Sequence, residues 1–198
     1  MRNKRPKIYL SGVFDTPWKA ANEVRMLLIK PFVLLYFYVL KIELQKGSKF
    51  YGFPAIFKYM GSRIYIGKRF EDRNWWHSNP LGINHPTIIC TWKKDAVIKI
   101  GDDVGISGGA VVASKKIEIG AGTVIGANTT IIDTDFHPVD AKNRRYDKNK
   151  IKNAAVSIGK NVFLGANCLI LKGVNMPDNV VIPAGAVVRS SKKTGYKF

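Results

Sequence analysis

Aliphatic residues recur at every sixth position through the second half of the chain: Ile100, Ile106, Val112, then Ile119, Ile125, Ile131, then Ile158, Leu164, Ile170, Met176, Ile182 and Val188. The register slips by one residue between Val112 and Ile119, and it is broken once, between Ile131 and Ile158. Small residues or proline follow most of the aliphatics, as at Gly101, Gly120, Gly126, Gly159, Gly165 and Pro183. Four positions on stand small or β-branched residues, as at Val104, Thr123, Thr129, Val162, Cys168 and Val180. A period of six is neither the 3.6 of a helix nor the 2 of a plain strand. It predicts a solenoid in which each six-residue unit forms one side of a triangular coil of about 18 residues, aliphatics stacked inside and small residues at the bends. The period does not fix the handedness.

Before Lys41 the pattern is helical and apolar, ending in the run Pro31-Phe32-Val33-Leu34-Leu35-Tyr36-Phe37-Tyr38-Val39-Leu40. That run is half the roughly 20 residues a bilayer span requires, and Arg25 and Lys30 block its extension. No small-residue cleavage site follows it, so it does not read as a signal peptide. Two compatible roles remain: a helix lying at an anionic membrane surface, or a helix closing the open end of the next domain. The expected organisation is therefore a basic, apolar helical segment over 1–49 and a solenoid domain over 50–198, with a loop over 138–155 ejected from the coils.

The 198 residues allow one domain with a sizeable core, and their 46% hydrophobic and 11% aromatic content excludes general disorder. Two cysteines, Cys90 and Cys168, are too few for a disulfide framework and suit the cytosol. Against 14 acidic residues stand 32 basic ones, a formal charge of +18 that attracts polyanions. No RNA- or DNA-reading signature accompanies it, and nucleic acid is not an expected partner.

The segments IGDDVG, IGAGTV, IGANTT, IGKNVF, LGANCL and IPAGAV resemble the hexapeptide repeats of the left-handed parallel β-helix acyltransferases. With DTDFHPVD (Asp133 to Asp140) the likeness narrows to maltose, galactoside and nodulation-type O-acetyltransferases. Through NPLGINHP (Asn79 to Pro86) and CTW (Cys90 to Trp92) it reaches those of exopolysaccharide and O-antigen clusters, the colanic-acid type. The resemblance covers about Phe50 to Arg189. It implies a left-handed coil, a homotrimer with each active site between neighbours, acetyl-CoA as donor, no metal, and a sugar hydroxyl as acceptor, in the cytoplasm or peripheral at the inner face of the plasma membrane.

Of the three histidines, His77, His85 and His137, only His137 lies among the repeats, where it opens the long interruption. A loop ejected from a regular scaffold is where function concentrates. Imidazole, with an ordinary pKa of about 6.5, suits the removal of a hydroxyl proton near neutrality. The resemblance carries the family's general base onto His137 and its oxyanion donor onto the backbone amide of Ala166. It places acceptor contacts at Asn84, His85 and Ser107, and the pantetheine arm along Phe163, Gly165, Ala166, Ala184 and Gly185. Arg189, Ser190, Lys192 and Lys193 follow, the lysines for the CoA phosphates. Asp133 and Asp135 flank His137 and, with strand alternation, share its face, to orient the ring or bind the sugar. The family's Thr-Lys/Arg pair reads Arg189-Ser190 here, and its GNPAK-like segment has no counterpart in KKTGYKF.

Competing classes fit less well. A γ-type carbonic anhydrase needs several histidines for zinc, and a nucleotidyltransferase needs a Gly-rich nucleotide-binding domain ahead of the coils. A basic, non-enzymatic solenoid scaffold for membranes or polyanions explains the charge but leaves Phe136-His137-Pro138 and its loop unused.

Overall fold

The computed structural model describes residues 15–141, 144–190, 194, 196 and 197. Among them one long helix, α1 (Pro17–Val39), precedes a stack of short strands numbered β1 to β18 in chain order. The strands form three parallel sheets of six, and consecutive strands always lie on different sheets. The chain therefore winds as a triangular left-handed parallel β-helix. The first face holds β1 (Glu43–Leu44), β4 (Arg63–Ile66), β7 (Val97–Ile100), β10 (Lys116–Ile119), β13 (Val156–Ile158) and β16 (Asn175–Met176). The second holds β2 (Lys49–Phe50), β5 (Glu71–Asp72), β8 (Gly105–Ile106), β11 (Val124–Ile125), β14 (Phe163–Leu164) and β17 (Val181–Ile182). The third holds β3 (Ala55–Lys58), β6 (Ile88–Thr91), β9 (Ala110–Ala113), β12 (Thr130–Ile132), β15 (Leu169–Ile170) and β18 (Val187–Val188).

Strand register stacks the periodic aliphatics into ladders. On the first face Ile66, Ile100, Ile119, Ile158 and Met176 are successive partners, all buried. Glycine at the corners is required by contact: a Cβ at Gly165 would lie 2.4 Å from the Ala184 nitrogen of the next coil. On the third face the ladder is Ile89, Val111, Ile131, Ile170 and Val188. Val111, not the periodic Val112, thus points inward. The corner before it is one residue short, with Gly108 at φ +51 and no room for a Cβ against Ile83.

The helix runs through Pro31, and one side closes the open end of the stack: Val33 and Phe37 join the core, with the Phe37 ring edge-on to Phe50 at 5.1 Å.

The second-face ladder contains a misfit. Between Phe50 and Ile106 it holds Asp72, fully buried, with one carboxylate oxygen bonded by the Thr87 hydroxyl and the other unpartnered. Burial pushes its pKa up to about 8, the Thr87 bond opposing. The folded state thus keeps a proton that an unfolded carboxyl gives up near pH 4. Stability falls as pH rises from about 4 to about 8. Asp72→Asn is expected to raise the melting temperature progressively more across that window, followed by circular dichroism. A difference from wild type independent of pH would refute an ionisation buried at Asp72.

Candidate active site

The interruption between β12 and β13 leaves the corner joining the third and first faces. It begins at 133, ahead of the expected 138, because a two-stranded neck forms first: Thr134 bridges Asn153, the Ala154 N–H donates to Asp133 O at 2.9 Å, and the Asp135 N–H donates to Lys152 O at 3.1 Å. Asp133 anchors this neck from inside. Its buried carboxylate accepts the backbone N–H groups of Ser114, Lys115 and Lys116 at 2.6, 2.7 and 2.7 Å, an anion nest at the tight corner one coil below. Burial pushes its pKa up while the three N–H bonds pull it down. Asp133 is thus spent on the scaffold: it continues the alternation of β12, inward like Ile131, and does not share an outward face with His137, which the turn at Phe136 takes outward.

Two residues on, the His137 N–H donates to Asp135 O at 2.6 Å across Phe136, whose φ is +59. This i→i+2 bond closes a γ-turn of the rarer, strained hand. The turn leaves His137 exposed while Pro138 behind it is buried. The Phe136 ring sits edge-on to Trp92 of the third face, 5.8 Å between centroids. Asp135 pairs through one oxygen with Lys172 at 2.5 Å, and its other oxygen is buried without a partner. Of the loop's basic residues, Arg144 donates to Pro138 O and Val139 O, and Lys150 pairs with Asp147 at 3.4 Å. Lys142 lies outside the described residues.

The donor-side residues gather elsewhere. Gly165, Ala166, Ala184 and Gly185 form the corner between the second and third faces in the last two coils, with Phe163 half exposed on β14 beside it. The Thr129 hydroxyl donates to Gly165 O at 2.8 Å and receives the Cys168 N–H at 3.2 Å, holding that corner rigid. The Ala166 N–H donates to nothing among the described residues. The same is true of Ala127 and Ala184 on adjacent coils, so the fold offers a row of such donors. Asn84 and His85 belong to an insertion, 73–87, on this same corner. There the Asn84 N–H donates to Asn128 Oδ1 at 2.8 Å and the His85 ring Nδ1 meets Pro86 O at 2.8 Å. Ser107, also on this corner, is nearly buried at the edge of a cleft of about 710 Å³ running over the second face.

The candidate residues thus fall into two sets. Asn84, His85, Ser107, Phe163, Gly165, Ala166, Ala184 and Gly185 share one corner. His137, Asp133 and Asp135 share the next, with Arg189 and Ser190 two coils above, where Arg189 pairs with Lys197 through backbone bonds of 2.7 and 2.8 Å. One face of five to six extended residues, roughly 15–20 Å, separates them. Lys192 and Lys193 lie outside the described residues. Sequence reasoning did not find the Phe136 turn or the packing of Trp92 on it. Phenylalanine carries no signal for positive φ, and Trp92 entered only as part of the CTW motif.

Residues 155–190 match the family profile described as the hexapeptide repeat of succinyl-transferase. YvoF of Bacillus subtilis (strain 168), an acetyltransferase by name, is 33% identical over 85 residues, 43% of this chain and 44% of that protein. WbbJ of Escherichia coli (strain K12), named for O-acetyl transfer in lipopolysaccharide biosynthesis, is 31% identical over 102 residues, 48% of this chain and 52% of that protein. The galactoside O-acetyltransferase of Lactococcus lactis subsp. lactis (strain IL1403) is 38% identical over 78 residues, 39% of this chain and 36% of that protein. The chain spans about half or less of the length of these relatives. No solved structure matches it significantly.

Proposed function

We propose that the chain is a hexapeptide-repeat transferase, the repeat profile that residues 155–190 match, and that it moves an acetyl group from acetyl-CoA to a sugar hydroxyl. The observation that carries this reading is His137, held out by a strained turn at the neck of the coil's longest loop, with an unpartnered Asp135 oxygen two residues away. His137 removes the hydroxyl proton as the alkoxide attacks the thioester carbonyl carbon. The tetrahedral oxyanion is held by the free Ala166 N–H, then collapses and expels the CoA thiolate, which takes the proton back from the imidazolium. No acyl-enzyme is required. Asp135, paired with Lys172, supports the turn that presents His137, and the Trp92–Phe136 edge supplies an aromatic wall for a sugar ring.

His137 and Ala166 stand a face apart within one chain, so the site closes between chains. A homotrimer, in which the 133–155 loop of one subunit meets the second-third corner of its neighbour, supplies both halves. The acceptor is a cell-surface saccharide. The loop's positive charge favours a phosphorylated or lipid-pyrophosphate-linked form, and the cytoplasm supplies the donor.

The direct test is thermal unfolding with acetyl-CoA, CoA and ATP. At 100 times Kd a ligand adds about 2.7 kcal/mol, about 5–10 °C for a chain of this size. A shift with both CoA species and little with ATP is the expected result. No shift, or an equal shift with ATP, refutes a CoA site and leaves a polyanion-binding scaffold.

A further inference from the structure

The side of α1 that does not face the coils is an unbroken apolar surface. Taking 100° per residue, the buried Asn22, Met26, Val33 and Phe37 cluster on one side of the helix. Leu27, Leu28, Phe32, Leu35, Tyr38 and Val39 occupy an arc of about 140° centred opposite to them. Each of these six is at least 60% exposed. No charged residue falls within the arc. Lys30 lies about 60° beyond one edge of it, Lys19 stands on the coil-facing side, and Lys41 stands just past the helix end. Arg25 is engaged elsewhere, donating to Tyr51 O at 3.1 Å and lying 3.8 Å over the Trp75 ring.

We propose that this outer face of α1 lies in the interfacial layer of an anionic lipid bilayer, docking the solenoid by the end that the helix closes. The geometry is that of an in-plane helix, apolar arc downward and Lys41 just past its end reaching the headgroups. The net charge of +18 draws the whole molecule to a negative surface. No helix among the described residues is long and apolar enough to cross a membrane, so α1 rests on the bilayer. A second copy of the chain is the poorer occupant. The arc covers about 20 Å of helix about 10 Å wide, on the order of 200–300 Å² per copy, against roughly 800 Å² per partner in a stable interface.

The test is co-sedimentation of the full chain with vesicles of phosphatidylcholine plus phosphatidylglycerol, and with phosphatidylcholine alone. Wild type is expected to pellet with the anionic vesicles. Leu28→Gln/Leu35→Gln is expected to weaken partitioning by about tenfold or more, with an unchanged melting curve because both side chains are exposed. Wild type remaining in the supernatant overturns the proposal. So does a double variant that pellets like wild type, since charge alone then suffices. A wild-type assembly that the double variant dissociates, without vesicle binding, assigns the face to contacts between copies.

Discussion

Replacing His137 by alanine is expected to lower acetyl transfer by about 10²- to 10⁴-fold, the usual worth of a general base, and to leave the melting temperature and the acetyl-CoA shift where they were. The two halves of that outcome rest on different features of the fold. Turnover falls because the ring is the only imidazole on the ejected loop, held at a fixed place by the Asp135–His137 turn. Stability does not, because the exposed ring bonds to nothing among the described residues and the anchoring of the loop belongs to its neighbours: Phe136 against Trp92, and Asp135 with Lys172. Turnover within a few-fold of wild type would remove His137 from the mechanism. A fall in melting temperature with His137→Ala would mean that the ring helps hold the neck.

The parts that sequence could read are those where the coil repeats without insertion. From Ile158 to Val188 six consecutive aliphatics keep the period, and each lies in a ladder. Upstream the same spacing exists, in Leu44, Phe50 and Ile56, then Ile66 and Asp72. It stays hidden because the third-first corners lengthen the step, because 73–87 intervenes before Ile89, and because an aspartate stands at a ladder position. Hydrophobic pattern cannot announce a buried carboxyl, since only its burial in the stack makes Asp72 part of the core. The helix is legible as apolar and basic, but which of its sides closes the coils depends on contacts with Phe50 that periodicity does not encode. For the site, sequence isolates His137 by elimination, and it misreads Asp133 because alternation along an ideal strand is carried through to His137, whereas the positive-φ turn at Phe136 breaks it.

That misreading leads to the second large effect, which is on stability. Asp133→Ala is expected to destabilise the protein by about 3–5 kcal/mol, because it removes the acceptor of three buried or half-buried backbone N–H groups at once, each costing about 1–3 kcal/mol when left unmet and the corner relaxing only in part. For a chain of this length that is a fall of roughly 6–20 °C in melting temperature. Asp133→Asn keeps one carbonyl oxygen toward the nest but turns an amide donor on donors, so it recovers only part of the loss. The defect spreads both ways. The corner at Ser114–Lys116 feeds β10, whose register with β7 and β13 runs through Ile117 and Ile119, while the other end of Asp133 holds the neck that presents His137. Acetyl transfer is therefore expected to fall in Asp133→Ala through lost order of the loop, and to recover toward wild type on cooling below the transition. A variant that melts like wild type yet transfers poorly at every temperature would instead place Asp133 against the acceptor.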